Sequence, residues 1–204
     1  MKTEESFINN ISSLAVKRDP ILREEAIDTI LDIGNRTCAR QGMVELRRIV
    51  RKLTSDRNEM VRMKATEALG VLGNSRDLQL LSRLALDKAW TVRSSAYASL
   101  AVLGHRRAIL VITKGFHDSH PVVRKYAAVA AYDLIGCDAV PLVKAVESRY
   151  RSLEARVGFL LVLSACGDLP SRVELELMAK GPDKRLASSA ASALEDSDAP
   201  YRKS

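Results

Sequence analysis

Residues 117–125 read HDSHPVVRK, two histidines bracketing an aspartate within four positions. Imidazoles and a carboxylate this close in sequence could ligate a divalent metal or work as an acid–base pair. Of the chain's three histidines, the remaining one, His105, lies twelve residues upstream of His117, and no carboxylate but Asp118 lies nearby. A protein zinc site takes three or four ligands, so this patch must be judged by what recurs around it. The three cysteines, Cys38, Cys137 and Cys166, are widely spaced and form no C-x-x-C pair. They are expected as free thiols packed like small apolar residues in a reducing cytosol, and not as a zinc site or disulfide framework.

The elements that position these residues show up when the chain is aligned on its Val-Arg dipeptides. DRNEMVRMKATEALGVLG begins at Asp56, DKAWTVRSSAYASLAVLG at Asp87 and DSHPVVRKYAAVAAYDLIG at Asp118. Their arginines, Arg62, Arg93 and Arg124, are 31 residues apart, and weaker copies surround Arg23, Arg156 and Arg185. A period of this size signals stacked supersecondary units. Eleven residues after the arginine stands a glycine, at Gly34, Gly73, Gly104 and Gly167, with Gly136 one place later. Glycine there is expected to end a helix in the left-handed conformation. Pro20, Pro121 and Pro182 stand three residues before an arginine, where a helix begins. Apolar residues between these marks form a helical stripe, as in Ala65, Leu69 and Leu72 or Ala96, Leu100 and Leu103. A shorter helical segment precedes each stripe, for example RDLQLLSRLAL before Asp87. Neither helix has enough apolar surface to stand alone, so the pairs must stack.

This D-x5-R-x2-A-x3-L-x3-G pattern resembles the short HEAT-like repeat of phycobilisome lyases and many bacterial proteins. The resemblance implies an all-α, right-handed α-solenoid of about six helix pairs in one domain over residues 1–196. The units fall near 3–34, 35–73, 74–104, 105–136, 137–167 and 168–196, and 197–204 form a polar tail. It also implies that Asp56, Asp87 and Asp118 link to Arg62, Arg93 and Arg124 in a buried ladder between units. Asp118 and Pro121 then occupy repeat slots, and HDSHPVVRK is structure, not a metal centre. Tyr150 and Ala179 replace the ladder aspartate in the last two units, and Asp196 replaces the last glycine, as suits a polar cap. Arg23 and Arg62 are 39 residues apart, so the first helix of the second unit is expected to be about two turns longer than its counterparts.

Enzymes on this scaffold supply sharper tests. The HEAT-repeat hydroxylase that modifies lysine in a translation factor binds iron through His-Glu dipeptides, and this chain has none. HEAT-like DNA glycosylases use aromatic residues and an aspartate on a basic face, whereas aromatics here make up 4% and Trp90 is the only tryptophan. Nothing singles out a bilin site. The glycines are either helix-end residues or scattered singly, not clustered as a phosphate cradle requires. No catalytic residue, metal or cofactor is expected.

Two surfaces remain. By the same resemblance, the second helix of each pair lines the concave side, presenting positions about +1, +2, +5 and +8 from the arginine. These are acidic at Glu24, Glu25 and Asp28, then small or apolar at Ser94, Ser95 and Ala98. Lys125, Tyr126, Val129 and Tyr132 follow, then Val157, Gly158 and Leu161. Such a strip is expected to seat a protein partner. The net charge of +7 permits a second reading. In VELRRIVRKL, Val44, Leu46, Ile49, Val50 and Leu53 face inward, and Arg47, Arg48, Arg51 and Lys52 face out. With Arg106 and Arg107 they could track phosphates of a nucleic acid. The favoured function is a non-enzymatic cytoplasmic adaptor, of which a partner-specific inhibitor or immunity protein is one form. Nucleic-acid binding comes second and a lyase- or glycosylase-like enzyme third. No stretch approaches the roughly 20 apolar residues of a membrane span, and MKTEESFINNISS, with two acids and no apolar run, is not expected to mark the chain for export.

Overall fold

The computed structural model describes residues 2–34, 40–147, 149 and 152–198. Cys38, the Tyr150 slot, the boundary at 35 and the tail beyond 198 lie outside them. The described residues form helices and turns without strands. In chain order the helices are α1 (Lys2–Leu14), α2 (Pro20–Gly34), α3 (Arg40–Leu53), α4 (Glu59–Leu72), α5 (Leu78–Leu84) and α6 (Trp90–Val102). They continue with α7 (Ile109–Gly115), α8 (Pro121–Ile135), α9 (Val140–Glu147), α10 (Leu153–Ala165), α11 (Leu169–Ala179) and α12 (Lys184–Asp198). These are the six expected pairs. Helix α3 has 14 residues against 7 in α5 and α7, the anticipated difference of about two turns.

The helix boundaries follow local chemistry. The Asn58 side chain accepts hydrogen bonds from the Met60 and Val61 amides at the start of α4. Asp168 does the same for Ser171 in α11, and Pro121 opens α8. Pro182 departs from expectation. It precedes α12, whose first turn is capped by Asp183 accepting from the Arg185 and Leu186 amides. Gly104, Gly136 and Gly167 take positive φ of 70°, 61° and 90° at helix ends. Gly73 does not: its φ is −67°, and a Cβ there would lie 2.3 Å from the Leu69 carbonyl oxygen. Close approach, not backbone handedness, requires glycine at that position.

Two compact units, Met1–Ser99 and Leu100–Ser204, divide the chain. In the first, α1 packs on α3 and α2 on α4, like helix on like helix. Ile11, Ile27, Ile30, Leu46, Val50 and Leu69 are buried between them. In the second, α10 lies between α8 and α12, over a core that includes Ile112, Val143, Leu160 and Leu175. Phe116 meets Phe159 edge to face, with centroids 6.2 Å apart at 76°. Val44, expected inward, is exposed because two residues on a helix turn the chain by about 200°, which sets it opposite the buried face of Gly42, Leu46, Ile49, Val50 and Leu53.

Two expectations need correcting. Cys137 and Cys166 are not free thiols but form a disulfide with Cα atoms 5.6 Å apart. The residues on either side of the glycines ending successive units meet there, a proximity that spacing along the chain does not reveal. Residues Pro121–Glu147 are also apolar enough over 27 residues to pass as a membrane span by length and composition. In the fold this stretch is α8, a short 3-10 turn and α9. Gly136 breaks it with its positive φ, and α8 packs against α7 and α10.

Candidate functional site

The ladder forms a repeating device. Arg23 Nε and Nη2 donate to the two Asp56 oxygens at 2.7 and 2.8 Å, and Arg62 does the same to Asp87 at 2.9 Å. Each of these arginines also straps the turn that leads into its own helix. Arg62 Nη1 donates to the carbonyls of Asp56 and Arg57, Arg93 to those of Asp87 and Lys88, and Arg124 to those of Asp118 and Ser119. The aspartates accept the amide two residues on, at Asn58, Ala89 and His120. Burial tends to raise the Asp56 and Asp87 carboxyls. The hydrogen bonds from Arg23 and Arg62, helped by the amides, hold both below the usual value.

The opening motif takes its place here. Asp118 accepts the His120 amide, and His120 precedes α8 at its N-terminus. His105 Nδ1 accepts the Arg107 amide. Among the described residues, no group of three His, Cys, Asp or Glu side chains could hold a metal ion.

The structure splits the candidate partner-binding set. Ser94, Ser95, Tyr132, Val157 and Leu161 are buried, Leu161 at 3% exposure, and so offer no surface. Ala98, Lys125 and Val129 are half-buried, and Tyr126 is 44% exposed. The reason is lateral packing. A second helix has another second helix beside it, so positions assigned to the open face instead meet a neighbour. Ser95 donates to Glu67 of α4, and Ser99 to the Thr66 carbonyl. A Cβ on Gly158 of α10 would lie 2.7 Å from Lys125 Cα of α8. The acidic end of the strip is bridged by Lys64, which pairs with Glu24 and Asp28.

The phosphate-binding set also changes character. Arg47 donates to the Leu72 carbonyl, and Arg51 forks onto Asp77 at 2.6 and 2.9 Å, so both tie α3 to the next turn. Arg48 is exposed but pairs with Glu45 three residues earlier. Lys52, Arg106 and Arg107 are exposed. Arginines expected to project from an amphipathic helix are taken up by carbonyl and carboxylate groups that end up beside it.

What the second unit does assemble is a cleft of about 420 Å³ between α8, the start of α10 and α12. Val122, Lys125 and Tyr126 come from α8 and Glu154 from α10. Asp183, Arg185, Leu186, Ser188, Ser189 and Ser192 come from α12 and the residue that caps it. Gly158 lets α8 and α10 approach closely enough for Lys125 Nζ to reach past α10 and donate to Ser189 Oγ at 2.6 Å. Burial lowers the Lys125 ammonium, opposed by the charge of Asp196. Glu154 is held down first by its own backbone amide and then by the Ser152 hydroxyl. On α8, Asp133, though its side chain keeps an open edge to solvent, is pushed up to about 6 by partial desolvation and by the charge of Asp196. Only Lys125 and Tyr126 of this site were anticipated. The α12 residues were read as a polar cap, because a serine-rich run looks the same in a cap and in a cleft wall. A separate apolar surface, Leu169, Val173 and Leu177 at four-residue spacing on α11, is exposed.

Known proteins share this arrangement of helices. Residues 8–101 match the family model of HEAT repeats. The complex of CpcE and CpcF of phycocyanin lyase from Nostoc sp. PCC7120 resembles the chain with a TM-score of 0.67 and 17% identity. The match covers 91% of this chain and 75% of that one. An engineered protein matches at a TM-score of 0.48 and 16% identity over 93% and 96% of the two chains. Human deoxyhypusine hydroxylase matches at 0.37 and 17% over 97% and 98%. No curated protein matches in sequence. Residues 8–101 thus match HEAT repeats, and the described residues as a whole form an all-α array of helix pairs.

Proposed function

We propose that the chain is a non-enzymatic, protein-binding adaptor that seats its partner in the α8–α10–α12 cleft. The observation that carries this reading is Tyr126, 44% exposed at the edge of that cleft beside half-buried Lys125. An aromatic ring with an open face beside a polar, partly desolvated pocket is the composition of an interface anchor. The cleft holds hydroxyls, one ammonium and one guanidinium with two carboxylates; in its one hydroxyl–amine pair the Lys125 ammonium donates to Ser189, an arrangement suited to holding a partner's polar groups. A cytoplasmic setting remains part of the reading, with the Cys137–Cys166 bond as the feature to test there.

The test is affinity capture from the native host in the presence of nuclease, comparing wild type with Tyr126→Asp and Ser192→Arg. Both variants change the cleft while leaving the core intact. A single stoichiometric protein retained by wild type and lost in both variants is the expected result. Loss in Val173→Asp, with retention in the cleft variants, would move the interface to α11. Capture of nucleic acid alone, removed by nuclease, would overturn the adaptor reading.

A further inference from the structure

The Lys125 end of the cleft has a charge arrangement that selects among occupants. Its ammonium carries three N–H donors, and among the described residues its hydrogen bond is to the neutral Ser189 hydroxyl, with no carboxylate at ion-pair distance. The other charged groups of the cleft are committed elsewhere. Asp183 accepts the two amides that open α12. Glu154 accepts from Ser152, and Arg185 is the cation close enough to act on its charge. Lys125 and Arg185 balance Glu154 and Asp183 in charge, and Asp196 acts on Lys125 from a distance. Among the described residues, though, the half-buried Lys125 ammonium touches only a hydroxyl, with Ser188, Ser189 and Ser192 lining the cleft and Tyr126 at its rim.

Resting on the adaptor reading, we propose that this cleft binds an acidic peptide segment of the partner, with one side-chain carboxylate on Lys125 Nζ. A volume of about 420 Å³ holds a few side chains but not a folded element. A single carboxylate neutralises a single ammonium. A phosphate carries nearly two negative charges at neutral pH, and Glu154 and Asp183 would repel the second. Charge-assisted hydrogen bonds in a partly desolvated site are the stronger class. Val122 and Leu186 supply apolar walls for the residues flanking the carboxylate.

The experiment titrates the intact protein with three N-acetylated, C-amidated pentapeptides that differ only at the central residue. These carry glutamate, glutamine or phosphoserine, and binding is followed by the NMR signal of the Lys125 ε-CH2 group. The glutamate peptide is expected to shift that signal saturably, and the glutamine peptide to bind about tenfold more weakly or worse. Added salt should weaken the glutamate peptide, and phosphoserine should bind no better than glutamate. Lys125→Met and Ser189→Val are followed by tyrosine signals, with thermal melts showing that each is folded. Lys125→Met should lose the preference for glutamate over glutamine, and Ser189→Val should keep it. Equal binding of glutamate and glutamine peptides, or an unchanged preference in Lys125→Met, overturns the proposal. Tighter binding of phosphoserine overturns the choice of carboxylate. Partner capture lost in Tyr126→Asp but kept in Lys125→Met would sink this inference while leaving the adaptor standing.

Discussion

Arg62 shows how much one side chain does in this fold. It is buried, forks onto Asp87, and donates to two carbonyls of the preceding turn. Replacing it with alanine removes all four bonds and leaves Asp87 without its cation. The expected loss is about 3 kcal/mol, read from urea denaturation. Because Asp87 sits below its ordinary 3.8 in the fold, the stability it contributes is present above that value. It is lost as pH falls through the lower folded value, so Asp87→Asn should flatten the acid limb of a stability profile below pH 3.8. Asp133 has the opposite sign. Its carboxyl is raised to about 6, so its ionisation costs stability, beginning above 3.8 and in full above about 6. Asp133→Asn should match wild type below pH 3.8 and exceed it at pH 7 to 8. Much of that residue meets solvent, and screening holds the gain to about 1 kcal/mol. Thermal melts across that range check both the direction and the onset.

Among the helices, the contact between α8 and α10 positions the cleft. Gly158 is the point of closest approach, where an added Cβ would fall 2.7 Å from Lys125 Cα and 2.8 Å from its carbonyl oxygen. Backbone atoms cannot yield as a flexible side chain can. Gly158→Ala is therefore expected to cost about 1–3 kcal/mol by overpacking and to break the Lys125–Ser189 bond by parting the helices. Chemical denaturation measures the first effect and the Lys125 ε-CH2 shift the second. Arg51 and Arg47 make the same point on α3. Side chains that look solvent-facing on a helical wheel become struts once Asp77 and the Leu72 carbonyl lie beside them.

For the molecule as a whole, the disulfide is the most accessible handle. Cys137 and Cys166 are 29 residues apart and tie the ends of two successive units within Leu100–Ser204. Closing a loop of that size is expected to add about 3 kcal/mol relative to the reduced chain. Guanidinium unfolding with and without dithiothreitol, with Cys137→Ser as the reduced reference, measures this. An unchanged midpoint on reduction would mean the two thiols contribute through packing alone. The HEAT-repeat match to residues 8–101 covers units whose ladder is fully drawn, Arg23 to Asp56 and Arg62 to Asp87.

The linear order of residues was enough for the all-α class, the six pairs and the longer α3. Each rests on a short-range period or on one slot recurring every 31 residues. It was also enough to read HDSHPVVRK as a turn, because Asp118 has counterparts in Asp56 and Asp87. It was not enough for the burial of Val157 and Leu161, the capture of Arg47 and Arg51, the Cys137–Cys166 bond or the α12 wall of the cleft. Those depend on which faces meet after stacking. A helical period shows that a side chain points away from its own helix, but not whether water or another helix stands there.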